Sequence, residues 1–153
     1  MLFCYNIDVI DDIDGSLILL TYKGKVLLTI EKASPIRSKD DVWSFIAGGK
    51  KASETFDEAI SKKVQGKIKI KLTNVELLSH WMYKKKRKYF YHANLTDQDV
   101  NRMERLEGET IDFFSVRELE KLPLSHLTQL FITKHRDVLE RSSHSSDRSV
   151  SMS

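Results

Sequence analysis

The chain has 153 residues, a formal net charge of +3, and apolar and charged fractions of 41% and 31%, the profile of one ordinary globular domain with a core of its own. It contains no run of about eighteen apolar residues, so no membrane-spanning helix is expected. Its single cysteine, Cys4, leaves no internal disulfide and no cysteine-based zinc site.

In chain order, Phe3, Tyr5, Ile7 and Val9 alternate as in a half-buried first strand within residues 1–14. Asp8, Asp11, Asp12 and Asp14 stand where a signal peptide would be basic, so a cytoplasmic location is expected. Ser16 to Tyr22 and Val26 to Glu31 are β-rich runs around Lys23-Gly24-Lys25, a hairpin pattern. Lys32 to Asp41, with Pro35, reads as a loop, and Val42 to Ile46 as a short strand ending at Gly48-Gly49.

A helix follows. Thr55 is a suitable N-cap and Glu58 completes a capping box, while Phe56, Ala59, Ile60, Lys63 and Val64 fall on one stripe. Gly66 is expected to end it, as glycine commonly does, and Lys67 to Leu72 alternates like an edge strand. Val75 to Met82 and Tyr89 to Leu95 predict two strands joined by a basic turn, Tyr83 to Lys88. Thr96 or Asp97 caps a short helix through Met103, Ile111 to Val116 is a strand, and Val116 to Lys121 a helical turn. Ser125 caps a last helix whose buried face is expected at Leu127, Leu130, Phe131, Lys134 and Val138. The serine-rich run from Ser142 predicts a disordered tail over 142–153, leaving 1–141 as the domain. Strands mixed with a central and a terminal helix imply a layered α/β domain.

Gly48, five residues, Glu54, seven residues, then Lys62-Lys63-Val64-Gln65-Gly66-Lys67 resembles the Nudix box, G-x5-E-x7-R-E-U-x-E-E-x-G-U with U aliphatic. The likeness extends upstream through V-L-L-T-I-E-K and R-S-K-D-D-V-W-S-F-I-A-G-G-K, and downstream through L-E-G-E-T-I-D-F-F-S-V-R-E-L-E-K-L-P-L, so it spans residues 16 to 140. The resemblance implies an α/β/α sandwich around a mixed sheet. It also implies hydrolysis of a nucleoside diphosphate linked to another group, assisted by Mg²⁺ held on helix carboxylates.

At the box's three later glutamate positions this chain has Lys63, Gly66 and Lys67, and Lys62 stands for the arginine. Three carboxylates would carry −3; Lys63 and Lys67 carry +2. Two ammonium groups at an effective dielectric of ~20 repel Mg²⁺ by several kcal/mol. The expectation is therefore a protein of this fold that binds a phosphorylated small molecule, with Mg²⁺-dependent hydrolysis lost or weak and no firm cofactor. The resemblance assigns Glu54 and Glu107 as the candidate catalytic groups, and Arg37, Gly48, Gly49, Lys50, Lys63 and Lys67 as ligand contacts. No metal ligand is assigned.

Two alternatives stay open. One is an active hydrolase with an unconventional Mg²⁺ site drawn from Glu54, Glu58, Glu107 and Glu109. The other is a nucleic-acid or protein-binding module using Lys84, Lys85, Lys86, Arg87 and Lys88, where aromatics interleave with cations. Locally, Glu58 is explained as a cap and as a helix pair with Lys62, and Lys63 and Lys67 as plain helix formers. His80, His92, His126, His135 and His144 do not fall at metal-ligand spacing. Oligomeric state is not legible from the sequence.

Overall fold

A computed structural model describes residues 14–30, 42–103 and 110–142. The elements are β1 (Gly15–Tyr22), β2 (Lys25–Ile30), β3 (Ile46–Gly49), α1 (Phe56–Ile68), β4 (Glu76–Tyr83), β5 (Lys86–Asn94), α2 (Asp97–Arg102), β6 (Thr110–Ser115), a 3-10 turn (Arg117–Lys121) and α3 (His126–Lys134). The strand expected within 1–14, the loop with Arg37, Glu107, Glu109 and the tail beyond Ser142 lie outside the described residues. Ser142 itself is helical, its hydroxyl donating to the Val138 carbonyl at 3.0 Å.

The strands form one mixed sheet in the order β4-β5-β1-β2-β6, with β3 also paired to β1. β1 runs parallel to β5 and antiparallel to β2 and β3. It is apolar on both faces because both faces are covered. Leu17 and Leu19 join Phe90, Leu127 and Phe131 beneath α3, whereas Ile18 and Leu20 join Ile60, Val64 and Ile68 beneath α1. The result is the α/β/α sandwich expected, with α1 and α3 on opposite faces.

Several boundaries differ from expectation, each because tertiary burial outweighed a local signal. Gly66 does not end α1. Ile60, Val64 and Ile68 continue the buried stripe at four-residue steps, so the helix runs on to Ile68 and Gly66 sits exposed inside it. The cap is Lys69, in the left-handed region at φ 62°, its N–H donating to the Gln65 carbonyl at 3.0 Å. Residues 67–72 consequently form no edge strand.

β3 sits later than expected. Its backbone pairs Gly48 and Gly49 with Ser16 and Gly15 of β1, while Trp43 and Ser44 make only isolated bridges. The basic turn shrinks to Lys84-Lys85, both at positive φ, and Lys88 is fully buried within β5. α3 ends at Lys134, with helical residues resuming at 136–142. Its buried face includes Thr128 and Ile132, while Leu130 is half-buried and Lys134 lies exposed, its ammonium 4.6 Å from the Trp81 ring centroid.

Candidate functional site

The glycine strand and the start of α1 are held by local bonds. Thr55 Oγ1 accepts the Glu58 N–H at 3.1 Å, and Glu58 Oε1 accepts the Thr55 N–H at 2.8 Å. The Thr55 N–H keeps the Glu58 carboxyl below its ordinary range, so this side chain is committed to the cap. One residue before it, Asp57 accepts a hydrogen bond from Tyr91 on β5, which ties the first helical turn to the sheet. Burial, reinforced by Asp57, pushes the Tyr91 phenol well above its usual range, so it remains a donor.

Glu54 is engaged at both oxygens. Oε2 receives the Lys62 ammonium at 2.9 Å and Oε1 the Lys51 N–H at 3.0 Å. The bond from Lys62, and then that from Lys51, hold its carboxyl below the ordinary range, and the side chain is only 10% exposed. Lys62 therefore reaches back to Glu54 rather than settling on Glu58, its expected helix partner. Its role at the site was not assigned from the sequence, although its place at the box arginine was the available signal.

Lys63 lies across Gly48. A β-carbon on that glycine would stand 3.1 Å from Lys63 Cγ and 3.3 Å from its Cβ and Cδ, so the missing side chain makes room for the lysine stem. Lys67 follows one turn later and is mostly buried; both lysines make further interactions. Lys50 turns the other way, its ammonium donating to the Lys51 carbonyl at 3.1 Å and lying 5.5 Å from the Phe56 ring centroid. Thus Gly48, Gly49, Glu54, Lys63 and Lys67 belong to one strand-loop-helix unit, and Lys50 caps its aromatic side. Arg37 and Glu107 fall outside the described residues.

This donor set does not fit Mg²⁺. The metal needs hard oxygen ligands, yet at the box positions the helix offers two ammonium groups and a glycine, and among the described residues Glu54 already accepts two hydrogen bonds while Glu58 is held in the cap. Among the described residues no group of three histidine, cysteine, aspartate or glutamate side chains comes together to hold a metal. His80 and His92 do lie on paired strands but have separate surroundings. His80 stacks on Tyr89, whereas His92 Nε2 meets Thr21 Oγ1 at 3.0 Å and burial lowers its pKa. His135 Nε2 bonds Ser79 Oγ at 2.8 Å.

The hairpin presents fewer cations than the sequence suggested. Lys84, Lys85, Lys86 and Arg87 are exposed and Lys88 is core. A cavity of about 300 Å³ lies elsewhere, between the 3-10 turn and α3, with Leu119, Leu122, Leu124 and Ile132 in its wall. It is lined by no residue of the glycine loop or α1. Among the described residues no helix is long and apolar enough to cross a membrane.

The NUDIX domain family model matches residues 14–135. The fold is similar to MutT from a study of Aliivibrio salmonicida and Vibrio cholerae, at TM-score 0.62 and 13% identity over 86% of this chain and 97% of that one. It is also similar to the NUDIX domain of Shewanella oneidensis NrtR complexed with ADP ribose, at 0.63 and 14% over 83% and 88%. A MutT NUDIX hydrolase from Burkholderia pseudomallei gives 0.64 and 17% over 80% and 96%. No curated protein matches the sequence.

Proposed function

The chain belongs to the NUDIX domain family, and we propose that it binds a phosphorylated, nucleotide-like ligand at the glycine loop without ordinary Mg²⁺-dependent hydrolysis. The observation that carries this reading is the state of the carboxylates. Glu54 is bonded to Lys62 and Lys51, Glu58 to Thr55, and the helix face beyond them is Lys63, Gly66 and Lys67. In this reading lysines take the place of metal, meeting diphosphate oxygens directly as point charges. Gly48 makes room for the Lys63 stem, Gly49 and Lys50 continue the loop beside it, Arg37 adds charge by the family resemblance, and Glu54 positions Lys62. The family resemblance adds Glu107 as a candidate carboxylate of the same site.

The unconventional-metal alternative has less support, since two of its four carboxylates are already engaged. It predicts hydrolysis that collapses in Glu54→Gln and Glu107→Gln. The nucleic-acid alternative retains the exposed Lys84 to Arg87 and predicts salt-sensitive binding lost on their neutralisation.

The test is a panel of nucleoside diphosphate derivatives, including ADP-ribose, assayed for binding by calorimetry and for turnover with Mg²⁺ and Mn²⁺. Binding that persists in EDTA, without turnover, is expected. Metal-dependent turnover at ordinary enzyme rates overturns the proposal.

A further inference from the structure

The cavity between the 3-10 turn and α3 lies on the α3 side of the sheet, away from the glycine loop. Its volume of about 300 Å³ is at the lower end of ligand pockets, ~300–1,000 Å³, so a small molecule fits it. The floor is apolar, with Leu119 and Ile132 buried and Leu122 and Leu124 half-buried. The segment carrying Leu122 and Leu124 is fixed from outside. Trp43 donates its N–H to the Pro123 carbonyl at 2.8 Å and accepts the Ser125 N–H at 2.9 Å, so backbone bonds set this wall before any ligand arrives.

The rim is polar. Gln129, Thr133 and Arg136 follow at steps of four and three residues, along one face of α3 and its continuation. Gln129 Nε2 donates to the Leu124 carbonyl at 2.9 Å, which leaves its amide oxygen as an acceptor. Thr133 Oγ1 gives its proton to the Gln129 carbonyl at 3.0 Å, so it too is left to accept. Glu120, on the 3-10 turn, is a third acceptor, and Arg136 is the donor. Among the described residues neither the Glu120 carboxylate nor the Arg136 guanidinium makes a hydrogen bond or ion pair, with each other or with a third group.

An ammonium group has three protons to donate, and a carboxylate suits the guanidinium fork. The rim holds three acceptors for the one and the fork for the other, above an apolar floor. We propose that this cavity binds a free α-amino acid with an apolar side chain of leucine to phenylalanine size. Its ammonium meets Glu120, Gln129 and Thr133, its carboxylate meets Arg136, and its side chain packs on Leu119 and Ile132. Ligands of single charge fit less well. A fatty carboxylate would meet Glu120 and an alkylamine would meet Arg136, like charges in both cases. A residue inside a peptide carries neither charge. The site is independent of the ligand proposed at the glycine loop.

Calorimetric titration of the full chain with L-leucine tests this, beside isocaproate (no ammonium), isoamylamine (no carboxylate) and N-acetyl-leucinamide (neither charge). L-leucine is expected to bind about tenfold more tightly than any of the three. Arg136→Gln should weaken L-leucine about tenfold without weakening isoamylamine, and Glu120→Gln should weaken it similarly without weakening isocaproate. Both residues are exposed, and circular dichroism verifies that each variant is folded. As a second measurement, L-leucine should slow hydrogen exchange at 119–125 and 129–139. No saturable binding of L-leucine or L-phenylalanine, equal binding of N-acetyl-leucinamide, indifference to both variants, or protection confined to the glycine strand each overturns the proposal.

Discussion

At the scale of single residues, the decisive contacts are those of Glu54, Lys62 and Lys63. Both Glu54 oxygens accept hydrogen bonds from this chain's own Lys62 and Lys51, so a metal would have to displace them. Because these bonds lower the Glu54 pKa below its ordinary 4.5, the stability they confer is full above that value. It is lost as pH falls through the lowered folded-state value. Lys62→Met should therefore be less stable than wild type in urea at neutral pH, and the gap should close at acid pH. A gap that is constant across that range would count against the bond. Lys62 could be aligned with the box arginine from spacing alone. The Tyr91–Asp57 bond could not, since nothing local links residues 34 positions apart. Nor could the burial of Lys88, which reads as part of a surface run until its register places it opposite Trp81.

At the scale of elements, α1 shows which signals survive folding. Its start was legible because the capping box is complete within four residues. Its end was not, because burial of Ile68 and Ile70 beyond Gly66 depends on the sheet beneath. The same holds for β3, whose strand character comes from pairing with β1 rather than from its two glycines. Gly66 meets nothing within 4 Å where a β-carbon would sit, so Gly66→Ala should stabilise by about 1 kcal/mol through helix propensity. Lys69 holds a left-handed cap at φ 62°, and Lys69→Gly should add about 1 kcal/mol by removing that strain. Urea denaturation of each variant measures both, and a loss of stability in either contradicts the helix boundary described. Thr55→Ala removes the cap and should cost about 1 kcal/mol by the same measurement.

At the scale of the whole molecule, the fold follows the family while the proposed chemistry departs from it. The sandwich, the glycine strand and the capped helix are those of the family, and ordered segments from Ser16 onward made them legible in the sequence. The chemistry was legible only as a departure, since side-chain charge at Lys63, Gly66 and Lys67 can be read from spacing but the engagement of Glu54 cannot. If the helix face alone has lost the metal, restoring it should return metal binding. Lys63→Glu/Gly66→Glu/Lys67→Glu is expected to melt at a higher temperature with Mg²⁺ than without, while the wild type melts alike in both. The most direct test of the central claim is calorimetric titration of ADP-ribose into the wild-type chain, in EDTA and again in excess Mg²⁺, with release of AMP followed in the same samples. The expected result is one affinity in both buffers and no AMP. Binding that requires Mg²⁺, or AMP released only in its presence, would contradict it.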